Sequence, residues 1–328
     1  MDLAAAGVDA LRAAIAPATA AYALAALGLN LQFGYAGLLN LGHAGFMAVG
    51  AYGLATTVAV FGGGFWLGVA VGLAAAAAFG LLLGMPTVRL RADYLAITTI
   101  AASEILRFVL RSGWAQPWTG GVYGLQRFAE EFYALNPFAT SNNYAIGPVV
   151  VDARTLWLMV VGWALVAAAA VLLVLLLRSP WGRVLSSVRQ DEDLARSLGK
   201  NVFAYKLQAL VIGGVLGGVA GILLAVDQQN VNPDNYGSVV TFFVYTIVIL
   251  GGAGRAMAPV TGAVVFWLVI SATDSVLRQA VDSGTVSWSW FGPQQVGVAR
   301  FVLVGLALML IVVFRPQGLF TWRRRVRT

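Results

Sequence analysis

Long apolar runs separated by short polar punctuation dominate this chain. A membrane-crossing helix needs roughly 20 apolar residues. Runs of that kind occupy about 15–33, 43–61, 64–85, 94–112, 155–177, 204–226, 238–250, 258–278 and 297–315. They are rich in Ala, Leu and Val and lack the ten-residue alternation of barrel strands, so the pattern predicts helices. The expected fold is an all-α polytopic transmembrane bundle of about nine spans, within a range of eight to ten. The seventh run is short and ends in Gly251, Gly252 and Gly254, where a helix is expected to break inside the membrane or meet the eighth. No hydrophilic stretch is long enough for a separate soluble domain, so 1–328 reads as one transmembrane domain. The first run is preceded by Asp2, Asp9 and Arg12 rather than a basic start, which predicts a retained span and not a signal peptide.

Composition sharpens this reading. The chain is 59% hydrophobic and only 11% charged, and its mean hydropathy is +0.81. Soluble domains carry about 25% charged residues, and a soluble fold of this size could not hide so much apolar surface. With no cysteine, disulfide and thiolate chemistry are excluded. His43 is the only histidine, which excludes metal sites built on several His or Cys ligands.

The formal net charge is +7, and its placement indicates topology rather than nucleic-acid binding. Arg178, Arg183, Arg189, Arg196, Lys200 and Lys206 cluster after the fifth run, and Arg315, Arg323, Arg324, Arg325 and Arg327 fill the tail. Arg89, Arg91 and Arg255 fall on the same side in a nine-span arrangement, which puts 14 of the 21 basic residues there. Basic residues near span ends stay cytoplasmic. The expected topology has the N-terminus outside and the C-terminus inside. The 112–153 loop, the Asp227–Gly237 loop and the Trp288–Trp290 loop are then extracytoplasmic, and 178–206 and the basic 315–328 tail cytoplasmic. The basic face meets anionic lipid headgroups.

One internal echo stands out. Gly34, Ala36, Gly37 and Gly45 recur as Gly251, Ala253, Gly254 and Gly262 at a constant offset. Ordinary small-residue helix packing accounts for such matches. A duplicated half with a broken helix in each copy accounts for them equally, and would mark a transport path.

Enzyme chemistry finds little support. A nucleophile needs a base, and the neighbours of His43 (Gly42, Ala44 and Gly45) suit close backbone approach rather than acid–base work. His43 reads first as a packing residue at a helix junction and second as a pathway residue. Glu104 and Arg107 sit three apart, and Asp274 and Arg278 four apart, so each pair shares a helix face. As structure they are snorkelled anchors; as function they bound the outer mouth. No P-loop GxxxxGK[ST] occurs, so any nucleotide-driven work must enter through a partner.

The segment RSPWGRVLSSVRQDEDLARSLGKNVFAYK (178–206) predicts a short exposed helix. Ser187 and Gln190 have capping-box spacing, Asp191, Glu192 and Asp193 come early, Arg196 and Lys200 late, and Gly199 fits a C′ position. Leu194 and Leu198 share one face. Such an element is either a solvated loop helix or a surface that docks a cytoplasmic ATPase.

Five stretches resemble one known family in order along the chain: GYAGLLNLGHAGFMAVGAY (34–52), LRADYLAITTIAASEILRFV (90–109), TGGVYGL (119–125), RSPWGRVLSSVRQDEDLARSLGKNVFAYKLQAL (178–210) and FRPQGLF (314–320). The chain resembles the branched-chain amino acid ABC transporter permeases of the LivM/LivH type. Asn40 departs from the serine common at its position. The resemblance implies a transport subunit of the bacterial inner membrane that binds no cofactor itself. Its partners would be a second related permease, two ATPase subunits carrying ATP and Mg, and an extracytoplasmic solute-binding protein. It further implies a translocation path near Gly34, Tyr35, Gly37, Asn40 and His43, to which the internal echo adds Gly251 and Gly254. The coupling surface would comprise Arg189, Asp191, Glu192, Ala195, Leu198 and Gly199. Permeases for urea and short amides share the scaffold. A stand-alone secondary carrier and a membrane-embedded enzyme are the readings from other classes; no unpaired mid-span acid or clustered catalytic set favours either.

Overall fold

The computed structural model describes residues 3–139 and 142–282, with the single positions 302, 305, 306 and 309. The ninth apolar run, the Trp288–Trp290 loop and the basic tail are otherwise outside the described residues.

Eight of the predicted runs coincide with helices. The first is split. α1 (Leu3–Ile15) and α2 (Pro17–Leu29) meet at Pro17, and α2 continues into a π-helical turn, Asn30–Tyr35. The two parts are bent by 48°. Pro17 lacks the N–H needed to continue α1 but suits the first position of α2. Then come α3 (His43–Ala59), α4 (Phe65–Thr87) and α5 (Ala92–Arg111). After the short α6 (Gln116–Thr119), β1 (Leu125–Gln126), α7 (Glu130–Ala134), β2 (Asn143–Ile146) and β3 (Val149–Asp152) comes α8 (Ala153–Arg178). Asp152 caps α8; hydrogen bonds from the Thr155 hydroxyl and backbone N–H hold its carboxyl below the usual range. The chain continues through α9 (Pro180–Gln190), α10 (Glu192–Ser197), α11 (Val202–Gln228), β4 (Asn230–Val231), a 3-10 turn at Pro233–Tyr236, α12 (Ser238–Gly251) and α13 (Ala258–Asp282).

Three features qualify the expected pattern. Among the described residues, five helices are long and apolar enough to cross a membrane, or six if the bent first pair is one span. α3 falls short because the 36–42 stretch turns back into the bundle beside Thr99 of α5, leaving 17 helical residues. α5 carries Asp93, Glu104, Arg107 and Arg111, which interrupt its apolar run. The 112–153 loop is not wholly helical or irregular: β1 pairs with β4, and β2 with β3, both antiparallel. The bundle is therefore helical with two small sheets. Finally, 178–206 is not one capped helix. Asp191 ends α9 and caps α10, accepting from the N–H groups of Asp193 and Leu194 at 2.9 Å. Ser187 lies inside α9, its hydroxyl turned back to the Arg183 carbonyl, because Pro180 starts the helix two turns earlier.

α11 is the buried axis, packed by α2, α3 and α4. Glycines permit the crossings: a Cβ on Gly80 would come within 3.2 Å of the Val211 Cα, and one on Gly50 within 2.6 Å of the Gly218 Cα. α12 and α13 form a second tight pair. A Cβ on Gly262 would lie 3.0 Å from the Gly251 N.

Candidate functional site

Arg89 sits over the Phe203 ring at 4.9 Å, so the start of α5 and the start of α11 share one end of the bundle with the α9–α10 elbow. At this Arg189 end the two glycine-rich breaks meet. The π-turn holds Gly34 and Tyr35, and the break after α12 holds Gly252 and Gly254. Asn30 stitches them together. Its Oδ1 accepts from the Gly254 N–H at 2.9 Å and its Nδ2 donates to the Arg255 carbonyl at 2.8 Å. A Cβ on Gly34 would lie 2.6 Å from the Gly254 N and collide with Asn30 Oδ1. The echo in the sequence is thus an echo in the backbone: Gly37 and Gly254, equivalent by offset, both have positive φ, 71° and 81°.

Arg189, near the end of α9, donates from its guanidinium to the Gly34 carbonyl. The hydrocarbon stem of Arg189 covers Gly37, where a Cβ would meet its Cγ at 3.3 Å. Gly34, Tyr35, Ser186, Arg189, Gln190 and Gly254 line a polar cavity of about 420 Å³. The structure therefore brings together Gly34, Tyr35, Gly37 and Gly254 from the predicted path, and adds Arg189 from the predicted coupling set.

Asn40 and His43 lie deeper. Asn40 is fully buried; its Nδ2 donates to Gln32 Oε1 at 2.9 Å and its Oδ1 accepts from the Gly42 N–H at 3.0 Å. The Tyr245 hydroxyl donates to the Asn40 carbonyl at 3.1 Å, and Gln32 also reaches the Leu210 carbonyl at 2.9 Å. Thr99 and Thr241 satisfy the N–H groups of Leu41 and Ala44. Non-helical backbone at membrane depth survives only when enclosed by protein partners, and these side chains supply them. His43 is wholly buried between Phe46 and Gly217, away from the cavity. Gly251 likewise serves the α12–α13 crossing and does not line the cavity.

Within the elbow, Val188, Ala195 and Val202 form a small core. Ala195 therefore faces inward, and the exposed apolar residues are Leu194 of α10 and Leu198 at its C-cap, 60% and 70% accessible. Gly199 has φ 73°, and the N–H groups of Gly199 and Lys200 donate to the Arg196 and Ala195 carbonyls, a complete Schellman cap. Glu192 pairs with Lys206 of α11, while Asp191 remains the cap of α10.

The opposite end is built from charge. Arg107 contacts Glu104 and Asp234 at 2.8 and 2.7 Å, and Arg111 reaches the same Asp234 oxygen at 3.3 Å. Glu104 also accepts from the backbone N–H and hydroxyl of Ser238 at the start of α12. Asp274 and Arg278 form a separate pair at 2.8 Å. Sequence reasoning missed Asn30, Gln32 and Asp234. The first two carried a signal, being amides inside an apolar run; Asp234 carried none, because its partners are remote in sequence.

A family model described as branched-chain amino acid transport system / permease component matches residues 11–314. The chain belongs to that family. It is 34% identical to the high-affinity branched-chain amino acid transport system permease protein LivM of Escherichia coli (strain K12), over 94% of this chain and 70% of that protein. A probable LivM of Methanocaldococcus jannaschii is 25% identical, with 91% and 90% covered. LivH of Escherichia coli (strain K12) is 23% identical, with 90% and 92% covered. The protein is thus a LivM-type permease, a multi-pass membrane transport component whose similarity extends to both kinds of permease in one transport system.

Proposed function

We propose that this chain is one of two permease subunits of an ABC importer that carries branched-chain amino acids inward by ATP-driven alternating access. The substrate class and the second permease rest on the names of the LivM and LivH relatives, and the other partners on the family resemblance. The chain works in the bacterial inner membrane beside a LivH-like permease, two ATPases that hold ATP and Mg, and an extracytoplasmic solute-binding protein. In this reading the Arg189 end is cytoplasmic, the Arg107 end faces the binding protein, and the full chain has nine spans.

The observation that carries the mechanism is the α9–α10 elbow. Its outer face offers Leu194 and Leu198 to a partner, and its inner face extends Arg189 to the Gly34 carbonyl. An ATPase that shifts α10 must carry α9 and the start of α11 with it, because Val188 of α9, Ala195 of α10 and Val202 of α11 pack together. Movement of α9 withdraws or inserts Arg189 between the two glycine breaks. Interfaces of this kind switch between discrete packings rather than deforming continuously.

Reconstitution tests the reading. The chain, co-purified with the second permease and the ATPases, is placed in liposomes with ATP on the cytoplasmic side. Leucine uptake is expected only with both ATP and the binding protein present, and an Arg189→Ala transporter should hydrolyse ATP with little uptake. Uptake by this chain alone, driven by an ion gradient, would overturn the proposal in favour of a secondary carrier. Competition by urea or acetamide at least equal to that by leucine would reassign the substrate.

A further inference from the structure

α4 and α8 both pack on α11 but hardly on one another, which leaves a groove over the α11 surface. Val69 and Leu73 form one wall, Val161 and Leu165 the other, and Val219 and Leu223 the floor of a cavity of about 260 Å³ lined by hydrophobic side chains only. The groove starts at the Phe65 end of α4 and runs to Leu73, about 12 Å at the helical rise of 1.5 Å per residue, close to one leaflet's share of a bilayer core roughly 30 Å thick.

At its head lies a second cavity of about 520 Å³, apolar over most of its lining but carrying Arg127, Glu130, Tyr133, Arg154 and Gln229. Their linings touch: the hydroxyl of Tyr133, which lines the second cavity, donates to the carbonyl of Val226, which lines the groove, at 3.0 Å. Arg127 and Gln229 are the two non-glycine residues with positive φ among the described residues, at 60° and 51°. They flank the β1–β4 pairing at Gln126 and Asn230, which fixes both beside this second cavity. Arg127 and Arg154 take part in none of the ion pairs among the described residues. The guanidinium of Arg154 lies 5.9 Å from the Tyr133 ring centroid.

We propose that this pair of cavities is a binding site for one bilayer phospholipid, with an acyl chain in the groove, the phosphate on Arg127 and Arg154, and an amine headgroup on Glu130. Two unpaired guanidinium groups suit a phosphodiester, because arginine's planar fork matches its oxygens. A carboxylate beside them favours an ethanolamine over a choline head, since a primary ammonium donates hydrogen bonds and a quaternary one does not. An apolar groove one hydrogen bond away from the lining of the arginine-bearing cavity is what separates a lipid from a soluble anion. The proposal needs only a membrane-embedded chain and stands apart from the importer reading.

The test is native mass spectrometry of the full chain, stripped of lipid in detergent and titrated with phosphatidylethanolamine. One lipid should bind tightly. An Arg127→Gln/Arg154→Gln double variant should weaken it at least tenfold, and Val161→Trp, which fills the groove, at least fivefold. Glu130→Gln should narrow the preference over phosphatidylcholine. A phosphatidylethanolamine with a diazirine on its acyl chain should label α4 and α8 in the unaltered chain, so the result does not hang on variants that fail to fold. Wild-type affinity in both the double variant and Val161→Trp would overturn the site. So would equal binding of water-soluble glycerophosphoethanolamine, which would indicate a free phosphoester, or loss of labelling once the partner permease is bound, which would give the groove to that subunit.

Discussion

The two ends of the bundle are held together by different physics. At the Arg189 end, two glycine breaks approach within backbone distance, and Asn30 and Arg189 bond to main-chain groups. At the other end, the 3-10 turn at Pro233–Tyr236 is tied to α5 by side-chain ion pairs around Asp234 and Arg107. Asp234 and Arg111 are 46% and 43% exposed. Exposed ion pairs are screened and adjustable, whereas a buried amide stitched to backbone is close to all-or-none. The proposed coupling through Arg189 would need a definite closed state at that end and tolerate adjustment at the other.

The largest expected effect is steric. Gly34→Val places a branched side chain where even a Cβ meets Gly254 and Asn30, and overpacking of this kind costs about 3 kcal/mol or more. The purified variant should melt well below the parent in a thermal unfolding scan. An unchanged midpoint would mean that the two breaks are not in contact.

Next is Asn30→Ala. It orphans the Gly254 N–H and the Arg255 carbonyl, at about 1–3 kcal/mol for each buried group. Chemical denaturation in mixed micelles reads this loss, and Asn30→Asp, which keeps only the acceptor, should fall between. Equal stability of Asn30→Ala and parent would show that water replaces the amide, and the contrast between the ends would weaken.

Gly199→Val is smaller in stability, about 1–2 kcal/mol from forcing an L-residue into left-handed geometry, because nothing lies within 4 Å of a Cβ at that position. Its functional effect should nevertheless be large. The Schellman cap shapes the α10 tip, so ATP hydrolysis should persist while uptake falls. Normal ATP-driven uptake by this variant would sink the coupling role of the tip.

The smallest effect belongs to the charged end. A double-mutant cycle between Arg111→Ala and Asp234→Ala should give a coupling of about 0.2–1 kcal/mol that shrinks as salt is raised. A coupling several times larger and insensitive to salt would make this end as rigid as the other.

Most helices were legible in the sequence because lipid enforces long apolar runs, and eight predicted runs fall on helices. The Gly199 cap was legible for a local reason, since glycine at C′ serves a single turn. Ser187 misled because capping-box spacing is common, and the stronger start signal was Pro180. Ala195 was placed on the coupling surface by the resemblance; the packing of α10 on α9 and α11 turns it inward.

By itself the sequence determined a helical membrane chain, its family, the glycine-rich segments that could break a helix and an exposed polar segment at 178–206. Each follows from local composition or from motif order, which the solvent and the backbone impose residue by residue. Tertiary structure alone decided that the breaks at Gly34 and Gly254 touch, that Arg189 closes on Gly34, that Asp234 completes the Arg107 pair, and that His43 packs away from the cavity. Those partners lie far apart along the chain, and only the crossing of helices about α11, made close by glycine, brings them within bonding distance.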